Sequence, residues 1–119
     1  MQVVVTGATS FIGAATVKKL MEAGHRVFAV VRPASSNMKH LETIEAGNTP
    51  GSLSICPLDL AEIRTLHGFL ADAWVHIGWD GAGSDNRTKR DVQQRNVTYA
   101  LDAVEAAAAL GCHRFLFTG

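Results

Sequence analysis

Three β-branched residues, Val3-Val4-Val5, run directly into Thr6-Gly7, and a helical period begins at Phe11. That succession commits the chain to a strand, a tight turn and a helix. The helix spans Phe11 to Ala23, with Ala14, Val17, Leu20 and Met21 at helical spacing and Gly24 as its stop. His25 to Val31 is a second strand, mostly apolar on both faces, as a strand inside a parallel sheet should be. Pro33 breaks the chain. Asn37 to Ala46 is a second helix carrying Met38, Leu41 and Ile44, and Asn48-Thr49-Pro50-Gly51 is a turn. Leu53 to Pro57 forms a third strand, and Leu58 to Ala71 holds a short helix with Asp59 near its start. Ala73 to Ile77 is a fourth strand, followed from Gly78 to Thr88 by a loop rich in Gly, Asp, Ser and Asn. The longest helix runs from about Lys89 to Leu110, with Val97, Leu101, Val104 and Ala108 as its apolar stripe and Gly111 as its close. His113 to Thr118 is a fifth strand.

Strands that alternate with helices pair in parallel, and right-handed crossovers wrap the helices onto both faces of the sheet. The expected product is an α/β, doubly wound parallel sheet of five strands ordered 3-2-1-4-5. At 119 residues the chain is one domain, 1–119. Apolar residues make up 47 % and charged residues 18 %, so a packed core is expected. Eleven basic residues balance eleven acidic ones. A nucleic-acid or anionic-membrane surface needs a basic excess, so neither partner is expected. No apolar run approaches the ~20 residues that span a bilayer. The first strand follows Met1 directly, which leaves no room for a secretory or transit peptide. Cys56 and Cys112 lie far apart, outside any C-x-x-C pattern, and read as buried free thiols. The address is therefore cytoplasmic, and the sequons at Asn86 and Asn96 are chance.

The strongest chemical signal is Thr6-Gly7-Ala8-Thr9-Ser10-Phe11-Ile12-Gly13, set between a strand and a helix. Gly7 takes the tight turn leaving the strand, and Gly13 lets the helix pack closely. Ser10, Phe11 and Ile12 present main-chain amides, backed by the positive end of the helix dipole, to a pyrophosphate. At the end of the second strand an acidic residue would hold the ribose 2′-hydroxyl of NAD. Val31 fills that position and Arg32 follows, and a guanidinium suits a 2′-phosphate. NADP is therefore favoured over NAD. The alternative is that Arg32 is a solvated strand-end cation.

These residues resemble the extended branch of the short-chain dehydrogenase/reductase superfamily, the NAD-dependent epimerases and dehydratases. Their fold is a Rossmann-like sheet and their motif is T-G-x-x-G-x-x-G, with Ser10 standing here for the middle glycine. The resemblance implies that Asp59 and Leu60 hold the adenine, although Asp59 also suits a helix N-cap. It sets Val75-His76-Ile77-Gly78-Trp79-Asp80 against a V-I-H-L-A-A type run, whose backbone skirts the ribose and nicotinamide, Ile77 included. It makes His76 a strand-end structural histidine. It matches Asn96-Val97 to an N-V-x-G-T element in which Asn supports the cofactor-side backbone. Trp79 and Asp80 open a loop at the carboxyl end of a strand, where ligands bind in open α/β sheets. Asp80, Asp85, Arg87, Arg90 and Asp91 are candidates for substrate contact there, against the alternative of a solvated loop.

Catalysis in the resembling family needs a Ser or Thr after the fifth strand and Tyr-x-x-x-Lys on the next helix. Tyr99 is the sole tyrosine, and no lysine follows at that spacing. No residue is assigned to catalysis or to a metal. The expected function is the cofactor-binding part of an oxidoreductase acting on a nucleotide sugar, inactive alone. The alternatives are a non-catalytic dinucleotide-binding or sensor module, or a non-functional gene fragment. Phe115, Leu116 and Phe117 on an open edge strand, or the long helix, are expected to drive self-association.

Overall fold

The computed structural model describes residues 1–33, 38–79 and 89–118. In chain order the elements are β1 (Gln2–Thr6), α1 (Phe11–Glu22), β2 (Arg26–Val31), α2 (Lys39–Ala46), β3 (Ser52–Pro57), a 3-10 helix (Leu60–Thr65), β4 (Ala73–His76), α3 (Arg90–Ala109) and β5 (Arg114–Phe117). All strand pairs are parallel and the order is β3-β2-β1-β4-β5. The expected topology is the one found. Pro57 lacks an N–H for a ladder, and it sits at the end of an edge strand, where that costs least.

Strand side chains alternate between the two faces, and two apolar clusters result. Val3, Val5, Val27, Ala29 and Val31 meet Val17 and Met21 of α1 and Leu41 of α2 on one face. Val4, Phe28, Val30 and Trp74 meet Ile63 of the 3-10 helix and Ala103, Ala106, Ala107 and Leu110 on the α3 side of the other face. β1 is buried from Val3 to Thr6, as the central strand of a covered sheet has to be.

Two expectations change. The segment after β3 winds as a 3-10 helix, capped by the Asp59 carboxylate accepting from the Ala61 N–H at 3.0 Å. The stripe Val97, Leu101, Val104 and Ala108 is the exposed side of α3, and the helix buries Asn96, Ala103, Ala106 and Ala107 instead. Small residues let α3 lie close on β4 and the 3-10 helix, where Val or Leu would hold it off. Of the substrate-contact candidates, Asp80, Asp85 and Arg87 lie outside the described residues, while Arg90 and Asp91 open α3 and are exposed.

Candidate functional site

The β1–α1 turn is built from glycine at two places where no other residue fits. Gly7 has φ +65°, in the left-handed region, and a Cβ on it would stand 2.6 Å from the Gly78 backbone nitrogen. A Cβ on Gly13 would stand 1.9 Å from the Gly7 carbonyl oxygen. Ser10 has φ −70° and caps α1. Its hydroxyl donates to the Gly7 carbonyl at 2.7 Å and accepts from the Gly13 N–H at 3.0 Å, so one side chain fastens both glycines. The next two N–H groups, of Phe11 and Ile12, open the helix and have no intrahelical acceptor. The first turn holds no acidic residue to neutralise the dipole.

Above this turn lies a cavity of about 460 Å³ at the carboxyl ends of the strands. Gly7, Thr9, Ser10, Phe11 and Ile12 form its floor. Val30, Val31, Arg32 and Leu58 line it on the β2–β3 side, Ile77, Gly78, Trp79 and Thr118 on the β4–β5 side, and the Leu60 side chain reaches Gly78. Seven of the ten residues expected to hold the cofactor therefore share one cavity: Gly7, Ser10, Phe11, Ile12, Arg32, Leu60 and Ile77. Gly13 lies beneath the turn, Asp59 is an exposed cap beside Leu60, and Asn96 is buried on α3. Val30, Leu58 and Thr118 were not legible as a wall, because only the closed sheet aligns the strand ends that carry them.

Beneath the cavity a buried hydroxyl joins two strand ends. Thr6 Oγ1 accepts from the Ile77 and Gly78 N–H groups, each at 3.0 Å, and lies 2.8 Å from His76 Nδ1. A hydroxyl with both acceptor sites taken has only its proton left to give, so His76 Nδ1 is the acceptor and the ring is the neutral Nε2–H tautomer. Burial pushes the His76 pKa down to about 4, which keeps the ring neutral. The ring stacks on Phe115 at 6.1 Å, and its Nε2 has no partner among the described residues. His76 therefore holds a strand end through Thr6. At the rim, the Trp79 indole N–H donates to Gln93 Oε1 at 2.9 Å, and the Asn96 amide donates to the same oxygen at 3.3 Å.

A five-stranded parallel sheet wound on both faces, with its crevice at the β1 switch point, defines a Rossmann-type α/β protein. Residues 3–119 match the NAD dependent epimerase/dehydratase family, and the chain belongs to that family. It is 29 % identical over 122 residues to a UDP-glucose 4-epimerase of Klebsiella pneumoniae, covering 99 % of this chain and 88 % of that protein. It is 32 % identical over 117 residues to cinnamoyl-CoA reductase 1 of Oryza sativa subsp. japonica, covering 98 % of this chain and 33 % of the reductase. The solved structure of MoeE5 in complex with UDP-glucuronic acid and NAD superposes with a TM-score of 0.73 at 25 % identity, over 98 % of this chain and 36 % of MoeE5. The chain thus spans about a third of the length of the rice reductase and of MoeE5. Among the described residues no helix is long and apolar enough to cross a membrane.

Proposed function

We propose that residues 1–119 form the dinucleotide-binding domain of an NAD(P)-dependent oxidoreductase acting on a nucleotide sugar. The observation that carries this reading is the β1–α1 turn. Its two glycines keep side chains out of the bend, its leading amides lack intrahelical acceptors, and no carboxylate occupies the dipole's positive end. These features fit a diphosphate. Gly7, Ser10, Phe11, Ile12 and Gly13 would hold it. Arg32 would take the adenosine ribose end, Asp59 and Leu60 the adenine, and Ile77 the second ribose, with Asn96 supporting that side. Once bound, the dinucleotide would supply the site that accepts or returns a hydride. NADP is preferred because Arg32, and no acidic residue, follows Val31 at the cavity's end. The nucleotide-sugar substrate is supported by the UDP-glucose and UDP-glucuronic acid in the relatives' names.

The chain binds without transferring a hydride by itself, because Tyr99 is its sole tyrosine and has no partner lysine at the family spacing. That same observation favours, as the second reading, a dinucleotide sensor module. Val97, Leu101 and Val104 on α3, and Leu116 and Phe117 on the edge strand β5, are exposed and support self-association. The address is cytoplasmic, in keeping with two free cysteines.

Calorimetric titration with NADPH and NADH tests the reading. NADPH binds more tightly, and Arg32→Asp weakens it about tenfold while sparing NADH. Equal affinities, unmoved by Arg32→Asp, would remove the NADP preference, and absence of binding to either would remove the function.

A further inference from the structure

Trp79 follows β4 and opens onto the cleft. The side chain is 38 % exposed, yet it lines the same cavity as Gly7 and Arg32. An indole has one polar atom, its N–H, and here that atom is tied to Gln93 of α3. The Gln93 oxygen is itself held by Asn96, which is 1 % exposed. The hydrogen bond engages only the ring's edge, and the residue's exposure within the cavity lining leaves aromatic surface for a planar partner.

The strand order sets which partner. Arg32 follows β2 on one side of β1, while Trp79 follows β4 on the other. A molecule of two nucleoside halves, seated by its diphosphate on the β1–α1 turn, sends one half toward Arg32 and the other toward Trp79. We propose that Trp79 is a specificity-determining residue whose indole face contacts the nicotinamide ring, and that Gln93 is the positioning residue that holds it there. This rests on the dinucleotide reading above and adds a recognition element to it. Discrimination between dinucleotides and their ring-less fragments then comes from the β4 side of the cleft.

The test compares NADH with ADP-ribose, which keeps the diphosphate and both riboses but lacks nicotinamide. Dissociation constants are measured by calorimetry on the full chain. Trp79→Ala raises the Kd for NADH about tenfold, as loss of a base–aromatic stack does, and moves ADP-ribose less than about twofold. Trp79→Phe keeps a ring and retains most of the NADH affinity. Gln93→Leu raises the NADH Kd about threefold, and Gln93→Glu, which keeps an acceptor for the indole, restores it. Equal losses for both ligands, or none for either, would overturn the proposal while leaving the dinucleotide site standing. Failure of the unaltered chain to bind either ligand, or NADPH, would overturn both. Gln93→Leu, read as NADH against ADP-ribose, keeps the comparison decisive if Trp79→Ala does not fold.

Discussion

The helices α1 and α3 cover opposite faces of one sheet and do so with opposite chemistry. α1 turns Val17 and Met21 inward and leaves Lys18, Lys19 and Glu22 outside, linked by exposed ion pairs. α3 turns Ala103, Ala106 and Ala107 inward and leaves Val97, Leu101 and Val104 outside. Past its first turn, where Phe11 and Ile12 are exposed at the cavity floor, α1 has bulk inside and charge outside and a single apolar contact. Small residues inside with bulk outside describes a helix that lies close on its sheet and still carries a second apolar surface. The β1–α1 half of the cleft is fixed by glycine backbone and a single hydroxyl, through Gly7, Gly13 and Ser10. The β4–α3 half is fixed by side chains, through Thr6, His76, Trp79 and Gln93.

The contrast breaks most sharply at Gly13. A methyl group there meets the Gly7 carbonyl oxygen, so Gly13→Ala costs about 3 kcal/mol or more in urea unfolding and abolishes dinucleotide binding. Wild-type stability with intact binding would show that the turn tolerates side chains after all. On the other half, His76 is neutral when folded, with a pKa near 4, and takes a proton at its ordinary 6.5 when unfolded. Its contribution is complete above pH 6.5 and drains as pH falls toward 4, by up to about 3 kcal/mol. Urea unfolding from pH 7.5 to 4.5 should show that excess slope in the native chain and its loss in His76→Gln. The two sides of α3 separate next. Ala107→Leu overpacks the close contact and costs about 2 kcal/mol, whereas Leu101→Ala changes monomer stability by less than about 0.5 kcal/mol. Sedimentation at ~100 μM tests the proposed self-association, which Leu101→Ala should weaken by trimming the second apolar surface. Smallest of all, Arg64 and Glu105 pair at 3.0 Å between the 3-10 helix and α3 while both remain exposed. Glu105→Ala shifts stability by about 0.5 kcal/mol and less at high salt.

The first half of the molecule could be read from the chain because its determinants are local. Val3-Val4-Val5, Gly7, Ser10 and Gly13 act within a dozen residues, and their spacing states the turn directly. The strand order followed from alternation and handedness. The buried side of α3 did not follow, because an alanine-rich helix has two apolar faces at the same period. Val97, Leu101 and Val104 dominated that period by size, while the fold selected the smaller set. Thr6 and His76 are 70 residues apart, so their hydrogen bond exists only once β1 and β4 pair. Trp79 was visible at the mouth of a strand, but the Gln93 contact that orients it depends on where α3 begins.

The central claim is that the β1–α1 turn binds a diphosphate through main-chain amides. Its most direct test is amide NMR of the full chain during titration with NADPH. Binding there gives saturating shifts that are largest at Phe11 and Ile12, whose N–H groups lack an intrahelical acceptor, with Arg32 and Trp79 following at the two ends. Saturation with those amides unmoved, or with the shifts gathered on another surface, would contradict it.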